Sequence, residues 1–461
     1  MAYLGQLVRA RGQGWAEEGW DQMGKGDEKW YYTFLPYNIS GGSTSPLIPL
    51  FVTQGLRGTI AEVGIVSALS SVASVPASIV WGNLSDTTGK RRIFVLIGFL
   101  GMALAMIMMG LSMTMSQYYM ANLILGMLAS AAAPVGTVLV LESFEKHEWA
   151  KRLGDFSKVG GIGWVIGLVL GTIWLQFLAP DDGAITMRAL FILAGALSLV
   201  SLFLGLKWIP EPKERVDRDS LDKHVLSVPV NIIERARYLP QRMVGILRIS
   251  SKNLRMSNFP QNLRRYYLVI FLIFTGFLTF YVGLPIFLNS YVGLTSSEVF
   301  IIYLASSLTS ALIYGPAGRW VSRIGGKRIQ MISIAIRIVT IPTFFLVTLF
   351  PMSVISQMIV FGALHSIMGF CWANIAVAGN SLVSNMSYKD FRTQALGMYS
   401  AIQGVAAILG CLIGGYVANY FGYLETFLLA IVFIITGLVL LAFNNAEKEP
   451  VESESPHAVH T

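Results

Sequence analysis

Side chains able to do chemistry are few in this sequence and seldom grouped. Its 461 residues contain no phosphate-cradling loop ending in Gly-Lys-Ser/Thr, no His-Glu-x-x-His and no plausible nucleophilic triad in an exposed segment. Enzymatic turnover and ATP drive are therefore not expected, and no cofactor is called for. The two cysteines, Cys371 and Cys411, fall in apolar runs and read as small packing residues, which leaves no disulfide framework and no metal site. What remains is a pair of ionisable groups buried in apolar sequence, Arg337 and His365. A charge placed there is costly enough to imply a partner or a task. His365 has a side chain whose ordinary titration lies near neutrality, so it is a candidate proton carrier, with a hydrogen-bonded core histidine as the alternative. Arg337 stands nine residues beyond Arg328, roughly 13 Å along a helix rising about 1.5 Å per residue. No acid of the second half sits at that depth, so carbonyls, hydroxyls, water or an anionic substrate must serve it.

These groups need elements to hold them, and composition decides which kind. With 54% apolar and 13% charged residues, the chain has more apolar surface than one water-soluble core can hide. Apolar runs of about 20 residues, enough to cross roughly 30 Å of hydrocarbon as helices, recur along nearly its whole length. Twelve spans are expected, at approximately 35–57, 60–83, 92–114, 117–142, 154–178, 186–208, 266–292, 296–319, 328–350, 353–383, 393–419 and 423–444. They are too long and too evenly apolar for the alternating strands of an outer-membrane barrel. The fold class expected is thus all-α and integral to the lipid bilayer, with segments 1–34, 35–208, 209–265, 266–444 and 445–461 as tail, first half, linker, second half and tail.

Charge gives the orientation. Of 34 Lys and Arg, only Arg57 and Arg188 fall in loops on one side and Arg337 inside a span, which leaves 31 for the other side. Positive loops stay in the cytoplasm, so both termini are expected there, in a multi-pass protein of the cytoplasmic membrane. The net charge of +8 is accounted for by this topology and by anionic lipid, and no nucleic-acid partner is implied. Residues 1–34 lack the apolar core of a cleavable leader and read as an interfacial tail carrying Trp15, Trp20 and Trp30. The linker holds 12 basic and six acidic residues, and Val228 to Leu247 could form a surface amphipathic helix.

The two halves repeat one another. Offset by 236 residues, Pro49, Glu62, Gly82, Gly89 and Gly126 fall on Pro285, Glu298, Gly318, Gly325 and Gly362; offset by 243, Gly154, Gly161, Gly167 and Gly171 fall on Gly397, Gly404, Gly410 and Gly414. Two six-helix halves of like orientation place a substrate site between them near the midplane. Glu62 and Glu298 each follow a Thr by three residues, a capping box that assigns them to helix starts.

One loop is shared in a stronger sense. Gly82-Asn-Leu-Ser-Asp86-Thr-Thr-Gly89-Lys-Arg91-Arg92 closely resembles the signature loop of the major facilitator superfamily, and a degenerate copy stands at Gly318-Arg-Trp-Val-Ser-Arg323-Ile-Gly325-Gly-Lys327-Arg328. Gly82 and Gly318 would allow close helix approach, while Gly89 and Gly325 suit a positive-φ turn. The resemblance implies a transporter of twelve helices, usually monomeric. It also implies that Asp86 latches the outward-facing state against a helix start of the other half, although Thr87 stands where the family usually has Arg. Glu142, Arg152 and Asp155 would form a cytoplasmic charge network that opens and closes with the halves.

The fifth span is similar to the Gly-rich motif of drug:proton antiporters at Gly154, Gly163, Gly167 and Gly171, but Leu168 and Thr172 depart from it. Asn122 also stands where that branch commonly carries Arg. By the same resemblance the cavity would be lined by Ser45, Tyr281, Trp372, Asn374 and Gln403, with His365 and Arg337 as further candidates for substrate or coupling. Such an aromatic, weakly polar lining suits a moderately hydrophobic organic solute. Efflux linked to H+ is the favoured expectation; a nutrient symporter or facilitator, and a non-transporting membrane sensor, are the alternatives.

Overall fold

A computed structural model describes residues 28–144, 148–177, 183–210, 259–388 and 392–444, without the side chains of Asp86, Trp149, Ala150, Arg392 and Thr393. Both expected tails up to residue 27 and beyond residue 444, and the Val228–Leu247 helix, lie outside the described residues. The described chain is helical throughout. Eleven helices are long and apolar enough to cross a membrane. They are α2 (Ile60–Thr88), α3 (Arg91–Leu111), α4 (Met115–Ser143), α5 (Trp149–Phe177) and α6 (Gly183–Trp208) in the first half. The second half holds α7 (Gln261–Tyr291), α8 (Ser296–Ile324), α9 (Gly326–Leu349), α10 (Val354–Met386), α11 (Arg392–Tyr420) and α12 (Tyr423–Phe443).

The first expected span is not one helix but two, Phe34–Thr44 and Leu47–Gln54, together called α1. The turn between them falls at Ser45 and Pro46, where the proline has no N–H to continue the ladder. α7 is interrupted at the corresponding depth, at Val282 and Gly283, before Leu284-Pro285 restarts it. α4 contains a π turn at Leu125–Ala129 and a break at Ser130–Ala131. Thr59 with Glu62 and Thr295 with Glu298 form complete capping boxes, as their spacing predicts, so these acids satisfy the open amides of α2 and α8.

The sequence repeat has a physical counterpart. A β-carbon on Gly167 would fall 2.3 Å from the Ile39 carbonyl oxygen, and one on Gly410 2.5 Å from that of Thr275. Ile39 and Thr275 are 236 residues apart, Gly167 and Gly410 are 243 apart, so each register describes one partner of the same helix pair. α5 thus lies on α1 as α11 lies on α7, backbone on backbone, an approach that only small residues permit in lipid. The halves meet along α2 with α11 and α5 with α8.

One expectation about the flanks is corrected. Trp30 is not interfacial: a 3-10 turn over Glu28–Thr33 buries it against Phe34 and Phe156, with Tyr31 beside it, in the first half's core. In this state a β-carbon on Gly82 or Gly318 would meet no described atom within 4 Å. Gly89 and Gly325 do hold the expected positive φ, 64° and 98°.

Candidate functional site

The way the halves touch defines the site. On the face bearing Gln54 and Ser296 they are in contact: the Gln54 side-chain amide donates to Asn289 Oδ1 over 2.5 Å, Ser296 Oγ donates to Gln54 Oε1 over 3.0 Å, and Ser297 Oγ donates to the Thr172 carbonyl over 3.1 Å. Just inside this ring, a β-carbon on Gly64 would fall 2.5 Å from the Cys411 carbonyl oxygen and 3.0 Å from Gly415 Cα, so α2 and α11 touch through their backbones. Towards the basic loops, Gly154 and Gly161 on α5, Gly315 and Gly318 on α8, and Gly397 on α11 would each carry a β-carbon with no described atom within 4 Å. The side-chain hydrogen bonds named above therefore join the halves at the face opposite the basic loops, while these five glycines towards the basic face are uncovered. None of the four polar residues of the closing ring was among the candidates read from sequence. Their only sequence signal was polarity at the ends of the first and seventh spans and the start of the eighth.

Four of the predicted candidates come together in the second half, around the break in α7. Arg337, on α9, is completely buried, and its Nη2 donates to the Met368 carbonyl over 2.9 Å. Its guanidinium carbon lies 4.2 Å from the Phe277 ring centre, 5.6 Å from Tyr281 and 5.8 Å from Trp372. Cation–π contact with desolvated rings contributes about 2 kcal/mol each, which softens the burial without supplying a counter-charge. Nε and Nη1 of Arg337 have no hydrogen-bond partner.

His365, 3% exposed on α10, packs between Tyr303, at 4.7 Å between ring centres, and Tyr281, at 6.0 Å, and its Nδ1 is also without a partner. Trp372 stands two turns further on α10, edge-on to Phe274 and 38% exposed. The remaining candidates are elsewhere. Ser45 is in the α1 break, Asn374 is buried with its amide donating to the Phe370 carbonyl, and Gln403 lies beside Tyr399 on α11.

At the basic face the charges pair differently from the expected network. Arg91 grips Glu142 with both ends of its guanidinium, Nε to Oε2 at 2.9 Å and Nη2 to Oε1 at 2.6 Å, and donates to Ser85 Oγ at 2.8 Å. Arg152 does not meet Glu142; it pairs with Glu28 and, over 3.1 Å, with Glu148. Asp155 faces Tyr31 instead: burial first, then the charges of Asp155 and Glu148, push the phenol up to about 12, so it stays protonated at any physiological pH. The side chain of Asp86 lies outside the described residues.

In the second-half copy of this loop, Lys327 donates to the carbonyls of Ala442 and Asn444, at 2.8 and 2.7 Å. Of the other loop residues named from sequence, Arg92, Arg323 and Arg328 project from the basic face, Arg323 and Arg328 being exposed. Between α8, α9 and α10 the second loop leaves a cavity of about 410 Å³ lined by Gly318, Ser322, Gly325, Ser381 and Asn385.

Two helical bundles that are alike in packing and joined at one face are the architecture of a two-half membrane transporter. The chain belongs to the Major Facilitator Superfamily, whose profile matches residues 33–367 and, in an overlapping second match, 266–460. It is 25% identical over 418 residues to multidrug resistance protein MdtG of Klebsiella pneumoniae (strain 342), covering 88% of this chain and 90% of that protein. It is 24% identical over 402 residues to MdtG of Escherichia coli O6:K15:H31 (strain 536 / UPEC), covering 86% and 87%. Among solved structures, nucleoside transporter NupG superposes with a TM-score of 0.62 at 17% identity, covering 91% of this chain and 98% of that one. A bacterial homolog of the human lysosomal transporter Spinster, crystallised inward-facing and unoccupied, gives 0.64 at 12% identity, covering 92% and 100%. These last two likenesses concern the fold.

Proposed function

We propose that this protein is a proton-linked exporter of moderately hydrophobic organic solutes, working by alternating access as a monomer in the cytoplasmic membrane and not as an enzyme. The observation that carries the reading is that side-chain hydrogen bonds join the halves at the face opposite the basic loops, while glycines of α5, α8 and α11 towards the basic face are uncovered. Loading from the cytoplasm requires an opening on that side, and the charge bias puts the basic face and both termini there. The multidrug resistance proteins to which the chain is similar support efflux. The aromatic rings around the α7 break, Phe277, Tyr281 and Trp372, provide the apolar surface for such a solute. His365 is the proton carrier in this reading, because it is the one histidine on a described span and its Nδ1 is left free. Asp86 and the basic loop residues close the cytoplasmic mouth in the opposite state.

The test is flux of a panel of lipophilic cations, lipophilic acids and simple sugars in proteoliposomes, with and without an imposed pH gradient. Gradient-driven movement of the lipophilic compounds is expected, falling at least tenfold in His365→Ala while exchange without a gradient persists. Sugar movement indifferent to the gradient would replace this reading by a facilitator.

A further inference from the structure

The second half contains a buried cation with no acid paired to it among the described residues. Its acids by sequence are Glu298, Asp390 and Glu425. Glu298 is committed to the capping box of α8, and Glu425 lies in the first turn of α12, both at the face opposite the basic loops. Asp390 falls between α10 and α11 in sequence and lies outside the described residues. Arg337 is wholly buried; one of its three nitrogens is bonded to a carbonyl, the other two have no oxygen or nitrogen partner, and the Cys371 thiol lies beside the group.

An uncompensated charge buried in this way is strongly unfavourable, far more than three ring faces and one carbonyl offset. A guanidinium offering two free donors in one plane is also the geometry that a carboxylate or similar oxyanion matches with two parallel bonds. Trp372, 5.8 Å from the guanidinium, is 38% exposed, so one of the rings around the cation reaches the surface of the protein.

We infer that Arg337 is a receptor for an acidic group on the transported solute, with Phe277, Tyr281 and Trp372 framing the apolar body that carries it. The solute class is then an amphipathic organic acid. This rests on the transport reading above and narrows its substrate.

The test compares 1-naphthylacetate with its amide, 1-naphthylacetamide, which share shape and differ in charge, by equilibrium binding to the full chain in lipid nanodiscs. Wild type is expected to bind the acid at least tenfold more tightly than the amide. Arg337→Gln is expected to bring that ratio to about one, and Arg337→Lys to keep most of the preference. Amide binding reports that each variant is folded, and should Arg337→Gln not fold, the lysine variant and the wild-type ratio still decide. A wild type indifferent to the charge, or a preference that survives Arg337→Gln, overturns the proposal. Acid preference without gradient-driven flux in proteoliposomes would sink the exporter reading and leave this one standing.

Discussion

Replacing Gly64 by Leu is expected to abolish transport and to hold the protein open at the face seen closed here. The β-carbon alone would sit 2.5 Å from the Cys411 carbonyl oxygen and 3.0 Å from Gly415 Cα, and both obstacles are backbone that cannot rotate away. Overpacking of this kind costs about 1–3 kcal/mol within a fixed core. Here the clash is relieved if α2 and α11 separate, so the energy appears as a shift in the balance between the two open states. At about 1.4 kcal/mol per decade, the upper end corresponds to roughly a hundredfold. Maleimide labelling of Gln54→Cys, in a background without Cys371 and Cys411, reads the shift, because Gln54 is bonded to Asn289 and Ser296 while the face is closed. Gly64→Leu is expected to raise the labelling rate at least tenfold. Gly82→Leu, whose site is open space in this state, should leave it unchanged and instead impair closure of the basic face. Equal labelling in wild type and a folded Gly64→Leu would mean that this contact does not govern the mouth.

The second large effect concerns stability. Glu142→Ala should cost on the order of 3 kcal/mol, because it removes the two-pronged carboxylate partner of a guanidinium that is only 7% exposed on its side chain. Arg91 and Glu142 join the end of α4 to the start of α3, so the loss also loosens the loop that carries Asp86. A paired exchange, Arg91→Met with Glu142→Leu, should recover much of the loss, since breaking a buried pair is worse than replacing it by apolar side chains. Thermal unfolding in detergent checks both. A Glu142→Ala protein melting within about 2 °C of wild type would show that the pair contributes little.

The fold was legible because a membrane reduces it to a few rules. Long apolar runs had to be helices, Thr59 and Thr295 with their following acids marked two helix starts, and the two glycine registers anticipated the α5–α1 and α11–α7 contacts. The break at Ser45-Pro46 was not read, although the proline was visible, because apolarity runs unbroken across it and many membrane helices tolerate proline when neighbours serve the freed groups. The grouping of Tyr281, Arg337, His365 and Trp372 was half legible: each stood out by type, but only the packing of α7, α9 and α10 brings them together. The Arg91–Glu142 and Arg152–Glu28 pairs were beyond reach, since opposite charges near one membrane face have many possible partners and sequence distance does not choose among them. The closing ring of Gln54, Asn289 and Ser296 was hidden for a similar reason, as three neutral polar side chains at span ends carry no distinctive spacing.

The central claim is that the two mouths open in turn, and paired spin labels measure that directly. One pair, Ser143→Cys with Asn385→Cys, spans the basic face, and another, Arg57→Cys with Ser290→Cys, spans the opposite face; all four positions are exposed. Electron-electron distances taken in nanodiscs, with and without a transported lipophilic compound and a pH gradient, should change in opposite senses, the basic-face pair shortening as the opposite pair lengthens. Distances that stay fixed at both faces during measurable flux, or that lengthen together, would contradict alternation of the two halves.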